Sequence, residues 1–258
     1  MITGCPVFFG HLSGRIAVIR ARPEGSSGAC AFRPRAVELR AHVAPIVSMY
    51  VCAAFGVVVS ASRDGRIVVW DLNTLSYVRT IPNREMLAVT SVTASETLCD
   101  VASVHDFTSY QMDRQSSSDD TEDYEKNGQY KFKSLIRVHT INGTFVGSVK
   151  VVEKVNCVCY SNAPEGISVN CIAVGLDTGA IRLFSSWDLR PVAYIAPVNP
   201  GIGLMSQSFT KIFARSITYS VDSQQLFAGR ADGAVIAWES GTHTRPGSVR
   251  ILSAHAIF

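Results

Sequence analysis

From Ile46 to Ile81, short runs of apolar and β-branched residues alternate with small clusters of Gly, Ala, Asp, Asn, Ser and Thr. IVSMYVC, GVVVSAS, RIVVWDL and SYVRTI follow one another with only a few residues between them. Runs of this length and composition predict strands, and their connectors predict tight turns. RIVVW has no polar alternation, so this strand is expected to be covered on both faces, as in a sheet held between two others. No stretch of 12 or more residues keeps a helical apolar period. Helices should therefore be few and short, and the fold class is all-β.

The pattern recurs along the chain. SGRIAVI from Ser13, DGRIVVW from Asp64, TGAIRLF from Thr178 and DGAVIAW from Asp232 each place a glycine before an apolar run, and SLIRVH from Ser134 keeps the run without the glycine. The anchors Gly14, Gly65, Ser134, Gly179 and Gly233 lie 45 to 69 residues apart, and setting residues 107–133 aside shortens the longest interval to 42. A period of about 40–45 residues with four short strands per unit is the signature of a β-propeller. Labelling the strands of a unit a to d, the whole chain, 1–258, divides into about five blades. The first, 5–41, is incomplete and holds strands b to d; the others are 44–81, 87–150, 153–197 and 212–256. A ring with a missing segment exposes sheet edges and apolar faces. The expectation is that these blades are the C-terminal part of a seven-bladed ring in a larger protein; a compact five-blade ring is the alternative.

The b–c turn explains the Asp-Gly pair. Glycine takes positive φ at little cost, and Asp bonds to the turn amides. Five residues after Gly65 comes Trp70, whose buried indole N–H needs an acceptor. With His42 ahead of strand a, Ser60 (or Ser62) in strand b and Asp64 in the turn, this unit resembles the blades of the WD-repeat family. The resemblance implies a buried hydrogen-bond network of His42, Ser60, Asp64 and Trp70. Ser60, His42 and Asp64 are also the residue types of a hydrolytic triad, but in a repeat they are read as structural. The other units depart from the pattern. Thr178 and Phe184 replace the Asp and Trp, His139 stands at a Trp position and is expected to be a satisfied core residue, and Asp232 and Trp238 lack a preceding Gly-His pair. Trp187-Asp188 comes three residues too late and falls in a c–d turn.

Three further stretches are less generic: VTSVTASETLCDVASV, IRVHTINGTFVGSV and CVCYSNAPEGISVNCIAVGLDTGAIRLFSSWDLRPV. They resemble the C-terminal repeats of BEACH-domain proteins. That resemblance implies a very large cytosolic scaffold acting in the size, fission or secretion of lysosomes and related vesicles. The propeller would serve it as a protein-interaction module, cytoplasmic or peripheral on endosomal or lysosomal membranes, with membrane association only indirect.

Composition narrows the alternatives. Apolar residues make up 47% of the chain and charged residues 17%, so most of it should pack. A net charge of +3 is too small for a nucleic-acid surface. No apolar run approaches the ~20 residues of a membrane-spanning helix, and no secretory signal precedes the first strands. The seven cysteines are odd in number and irregularly spaced, and Cys157 and Cys159 share one face of a strand; they read as reduced core thiols. No pair among the six histidines has metal-ligand spacing, GIGLMS lacks the third glycine of a dinucleotide loop, and Asn142-Gly143-Thr144 reads as a hairpin turn. No cofactor, metal or catalytic residue is expected, and the partners should be proteins. Direct phosphoinositide contact through Arg63, Arg66 and Arg230 is an open possibility. The insertion YQMDRQSSSDDTEDYEKNGQYKFK is polar and acidic, then basic, with too little apolar area to repay ordering. It is either a tolerated surface insertion or a phospho-regulated docking loop, with Ser116 and Ser117 as acceptors because each has an Asp three residues on.

Overall fold

The computed structural model describes residues 6–20, 37–108, 132–163, 170–197, 213–239 and 249–250. Every element among them is a strand, and the strands form five antiparallel sheets. The first sheet is β1 (Pro6–Gly10), β2 (Arg15–Arg20) and β3 (Val37–Arg40). The second is β4 (Ile46–Cys52), β5 (Val57–Ser62), β6 (Ile67–Asp71) and β7 (Tyr77–Ile81). The third holds β8 (Val89–Ala94), β9 (Asp100–Asp106), β10 (Ser134–Thr140) and β11 (Phe145–Val151). The fourth holds β12 (Val155–Tyr160), β13 (Cys171–Leu176), β14 (Ile181–Ser185) and β15 (Pro191–Ile195). The fifth is β16 (Ala214–Tyr219), β17 (Gln225–Arg230), β18 (Val235–Glu239) and β19 (Val249–Arg250). In each, consecutive strands pair in chain order.

Sheet faces, not sheet edges, hold the molecule together. Four apolar clusters each join one sheet to the next. Ile16, Val18 and Leu39 meet Val58, Val68 and Trp70; Val59, Ile67 and Val69 meet Val89, Val92 and Val101; Val104, Ile136 and Val138 meet Val158, Ile172 and Val174; Cys157, Cys159 and Ile181 meet Ile217, Leu226 and Trp238. Neighbouring residues of one strand therefore serve different clusters, as Val58 and Val59 do in β5 and Val68 and Val69 do in β6. Alternate side chains point to opposite faces, so a strand buried on both sides is apolar except where a buried polar side chain finds a hydrogen-bond partner. That is why RIVVW lacks polar alternation.

The inner strands β4, β8, β12 and β16 lie side by side and line one cavity of about 370 Å³. Each carries a one-residue shift of register near its start, at Ile46/Ser48, Val89/Ser91, Val155/Cys157 and Ala214/Ser216. A bulge bends a strand and increases its twist, so four bulges at matching places turn four sheets alike. Stacked, twisted four-stranded sheets around an inner cavity are consistent with a β-propeller, although the described residues do not close into a ring.

Two of the b–c turns, at Gly14 and Gly65, sit tightly against the connector that follows their sheet. Gly65 has φ +79°, and a Cβ there would lie 2.8 Å from the carbonyl oxygen of Met86. Gly14 meets the carbonyl of His42 in the same way. Between β9 and β10 the pairing extends past the strand ends, with Phe107 N–H donating to Lys133 O at 3.0 Å. The insertion thus leaves and re-enters the hairpin at adjacent positions; Ser116, Ser117 and most of the insertion lie outside the described residues, as do GIGLMS, Cys5, Cys30, His243 and His255. No described helix is long and apolar enough to cross a membrane.

Candidate functional site

The second sheet brings His42, Ser60, Asp64 and Trp70 together. Val58 pairs with Trp70 across β5 and β6, which sets the indole over the middle of strand b. Its Nε1–H donates to Ser60 Oγ at 2.9 Å, and Ser60 Oγ lies 2.8 Å from His42 Nε2. One hydroxyl thus accepts from the indole and pairs with the imidazole, with Val68 O a further contact at 3.4 Å; the other ring nitrogen of His42 is Nδ1. That nitrogen faces Asp64 Oδ2 at 3.5 Å, an electrostatic contact too poorly aimed to be a full hydrogen bond. The Asp64 carboxylate is satisfied elsewhere: Val43 N–H reaches Oδ2 at 3.0 Å and Arg66 N–H reaches Oδ1 at 2.9 Å. Ser62, the other serine of this strand, donates to Ala44 O and takes Asp64 N–H, so it belongs to the turn.

Burial pushes the Asp64 carboxyl up, but the two amides and the adjacent His42 outweigh it and its pKa is lowered. Burial lowers that of His42, with Asp64 only partly opposing. The pair is therefore a carboxylate beside a neutral imidazole at neutral pH. The connectivity Asp–His–Ser is that of a hydrolytic triad, but Ser60 is fully buried and its oxygen is already engaged by an indole and an imidazole. A nucleophile must reach a reacting atom about 3 Å away, and nothing can approach this one. Asp71 only caps its own turn, accepting from Asn73 N–H, Thr74 N–H and the Thr74 hydroxyl.

Sequence reasoning missed a second, related arrangement in the third sheet. Val101 pairs with His139 as Val58 does with Trp70, so Ser103 is the counterpart of Ser60. Its hydroxyl lies 2.8 Å from Nε2 of His105, a fully buried residue two positions on in the same strand. A histidine again binds the buried serine, now from strand b instead of from the connector. Burial takes its pKa down to about 4. With Ser103 so occupied, His139 is not the satisfied core residue expected: its Nδ1 has no hydrogen-bond partner among the described residues. The signal that would have found His105 is Ser-x-His at the blade's serine position.

Arginine–glutamate straps between sheets were also missed. Arg137 and Arg182 both stand two residues before the aromatic slot of strand c, and each reaches a glutamate in the preceding connector at 2.6 Å, Glu85 and Glu153 respectively. Arg137 also donates to Asn83, whose amide holds the carbonyls of Gly65 and Leu87. Of the three arginines considered for phosphoinositides, Arg230 is buried and paired with Asp232 at 2.6 Å, so it cannot present its charge to a headgroup. Thr178 accepts from Ala180 N–H at 3.5 Å, a longer version of the Asp64 turn. Trp187 sits in the β14–β15 turn, 81% exposed. Among the described residues no three metal-ligating side chains cluster.

Comparison with known proteins fits the repeats into a larger picture. No family model matches the chain. Over 234 residues, 91% of its length, it is 34% identical to the human "Lysosomal-trafficking regulator". It is 28% identical over 77% of its length to the Drosophila melanogaster protein of the same name. A third relative, "BEACH domain-containing protein A2" of Arabidopsis thaliana, is 32% identical over 30% of the chain. The matches take up only 5% and 6% of the two regulators, so the chain spans a small part of those relatives. By sequence, the chain is a relative of the lysosomal-trafficking regulators and, over a shorter stretch, of a BEACH domain-containing protein.

Proposed function

We propose that the chain is a non-catalytic protein-interaction module, an arc of a WD-repeat β-propeller belonging to a larger BEACH-type protein of lysosomal and vesicle trafficking. The observation that carries this reading is the match across nine-tenths of the chain to a protein named for lysosomal trafficking. The physical setting supports it: rigid stacked sheets present many short turns, and turns on a rigid scaffold are where partners bind. His42, Ser60, Asp64 and Trp70 serve as a structural tie that locks the second sheet's connector, strand and turn into one unit.

In this reading the module works in the cytoplasm, reaches endosomal or lysosomal membranes only through partners or the rest of the protein, and uses no cofactor or nucleic acid. Further sheets of the longer protein bring the ring to seven blades. Ser116 and Ser117 of the insertion are the proposed phosphate acceptors. The test is deletion of the whole region spanned by this chain from the full-length protein in cells. The expected result is altered lysosome size together with loss of captured partner proteins; unchanged lysosomes and an unchanged partner set would overturn the reading. A fluorophosphonate probe should leave Ser60 unlabelled, and labelling there would reverse the non-catalytic assignment.

A further inference from the structure

Between the second and third sheets lies a cleft of about 530 Å³, walled by Pro82, Arg84, Arg137, His139, Phe145 and Ser148. We infer that this cleft is a docking site for an extended segment of a partner protein, one that carries an acidic side chain beside an aromatic or aliphatic one. The inference rests on reading the chain as an interaction module, and it names the surface and the chemistry.

Size comes first. Ligand pockets fall at roughly 300–1,000 Å³, so the cleft takes two or three side chains and not a folded domain. Its walls are split by character. Phe145 is 57% exposed and makes a T-shaped contact with His139 at 5.5 Å between ring centroids, so it offers exposed aromatic surface in a cleft that Pro82 also lines. Arg84, also lining the cleft, is exposed and has no hydrogen bond or ion pair among the described residues. Arg137 is neutralised by Glu85 at 2.6 Å and held by Asn83 at 2.9 Å. The unanswered charge of the cleft is therefore the guanidinium of Arg84. Arginine beside an exposed aromatic is the composition of an interface anchor.

The floor is polar without being charged. His139 is 4% exposed with an unpartnered Nδ1, and burial, with Arg137 next to it, keeps the imidazole neutral. The walls are also preformed. Arg79 Nη1 donates to the carbonyl of Asn142 across the two sheets, and Gly143 is so close to Pro82 that an added Cβ would lie 3.2 Å from its Cδ. A site that needs no ordering on binding keeps more of its contact energy. The last strand of this sheet, β11, leaves an outer edge along which an extended segment can run. A nucleic acid would require a row of cations tracking phosphates, and among the described cationic residues lining the cleft only Arg84 lacks an ion-pair partner. A free phosphate would leave Phe145 and Pro82 unused.

The experiment is fluorescence anisotropy on the full chain with a labelled octapeptide containing Glu-Glu-Phe. A Gln-Gln-Phe peptide, inorganic phosphate and inositol hexaphosphate serve as comparators. The acidic peptide should bind at least tenfold more tightly than its glutamine counterpart. Arg84→Glu and Phe145→Ser should each weaken it at least tenfold, and Trp187→Ala should leave it unchanged. Arg84 is exposed and unpaired, so the melting temperature of Arg84→Glu should match that of the unaltered chain. Absence of binding at millimolar peptide, equal binding by Arg84→Glu, or binding of phosphate or inositol hexaphosphate as tight as the peptide would each overturn the proposal. Partner capture by the full-length protein that survives Arg84→Glu keeps the interaction module and removes this cleft from it, so the two readings fail separately.

Discussion

Two indole rings in matching places, Trp70 and Trp238, differ by one hydroxyl beneath them. Trp70 donates to Ser60, whereas Leu226 pairs with Trp238 so that the counterpart of Ser60 is Ala228, and the Trp238 N–H finds no partner among the described residues. A buried donor left unpaired costs about 1–3 kcal/mol, and a regained hydrogen bond returns about 1 kcal/mol. Ser60→Ala strips a hydrogen-bond partner from two buried rings at once, so it should destabilise by about 2–4 kcal/mol. Ala228→Ser should stabilise by about 1 kcal/mol. Urea midpoints measured on both variants decide this, and a neutral Ser60→Ala would show that the network contributes little. His105 adds a pH dependence. Its folded pKa of about 4 lies below its ordinary 6.5, so the unfolded chain takes up the proton first. Stability is then complete above pH 6.5 and falls as pH drops toward 4, by on the order of 3 kcal/mol over the whole window. His42 and His139, also lowered by burial, act with the same sign. Melting temperature followed from pH 7.5 to 4.5 should fall less steeply for His105→Asn; parallel curves would remove His105 as the cause.

At the scale of the strand and the turn, legibility depended on whether a feature needs a particular residue. The b–c turns need a glycine, and Gly14, Gly65, Gly179 and Gly233 all take φ near +80°, so these turns can be read directly. The double-sided apolar strands were readable for the same reason, because clusters on both faces demand apolar residues at most positions. The bulges were not, since an inserted residue such as Val47 or Thr90 has no composition of its own. Nor were the positive-φ positions at Leu75 and Leu189, where the turn geometry overrides a residue that disfavours it. The Arg137–Glu85 and Arg182–Glu153 straps were hidden because ion pairs across sheets have no fixed sequence spacing. The candidate site was legible in the second sheet, where all four residue types stand at blade positions, and illegible in the third, where His105 reaches the serine from within the same strand and not from the connector. Turn glycines also separate two energetic effects. Gly65→Ala meets both an unfavourable φ and the Met86 carbonyl, whereas at Gly233 no described residue lies within 4 Å. Gly233→Ala should therefore cost about 1–2 kcal/mol, the left-handed penalty alone, and Gly65→Ala distinctly more. Equal losses in denaturant titrations would mean that the connector at Met86 simply moves aside.

For the molecule as a whole, the stacking order stops at two ends among the described residues, the first sheet and the fifth, and the first sheet carries an apolar patch on its outer face. One of its faces is covered: Phe8, Ile16, Val18 and Leu39 pack on the second sheet. The register pairs Val7 with Ile19 and Phe9 with Ala17 and then Glu38, so these residues form the opposite face. Val7 is 41% and Phe9 49% exposed there, while Arg40 holds Glu38 at 2.7 Å toward the outer strand. An apolar patch rimmed by an ion pair has the layout of an interface core and rim. Every other sheet junction in the stack buries such a patch against a neighbouring sheet. In the proposed ring a further sheet of the longer protein covers this one. Residues 1–258 expressed alone should then satisfy the face by pairing with another copy, since exposed apolar surface of this kind drives association. Sedimentation velocity across a hundredfold range of concentration should show reversible association. Val7→Lys with Phe9→Arg should shift it toward monomer without lowering the melting temperature, because neither side chain packs on the second sheet. A chain that stays monomeric throughout, or a double variant that associates as before, would mean that this face is not where the ring continues.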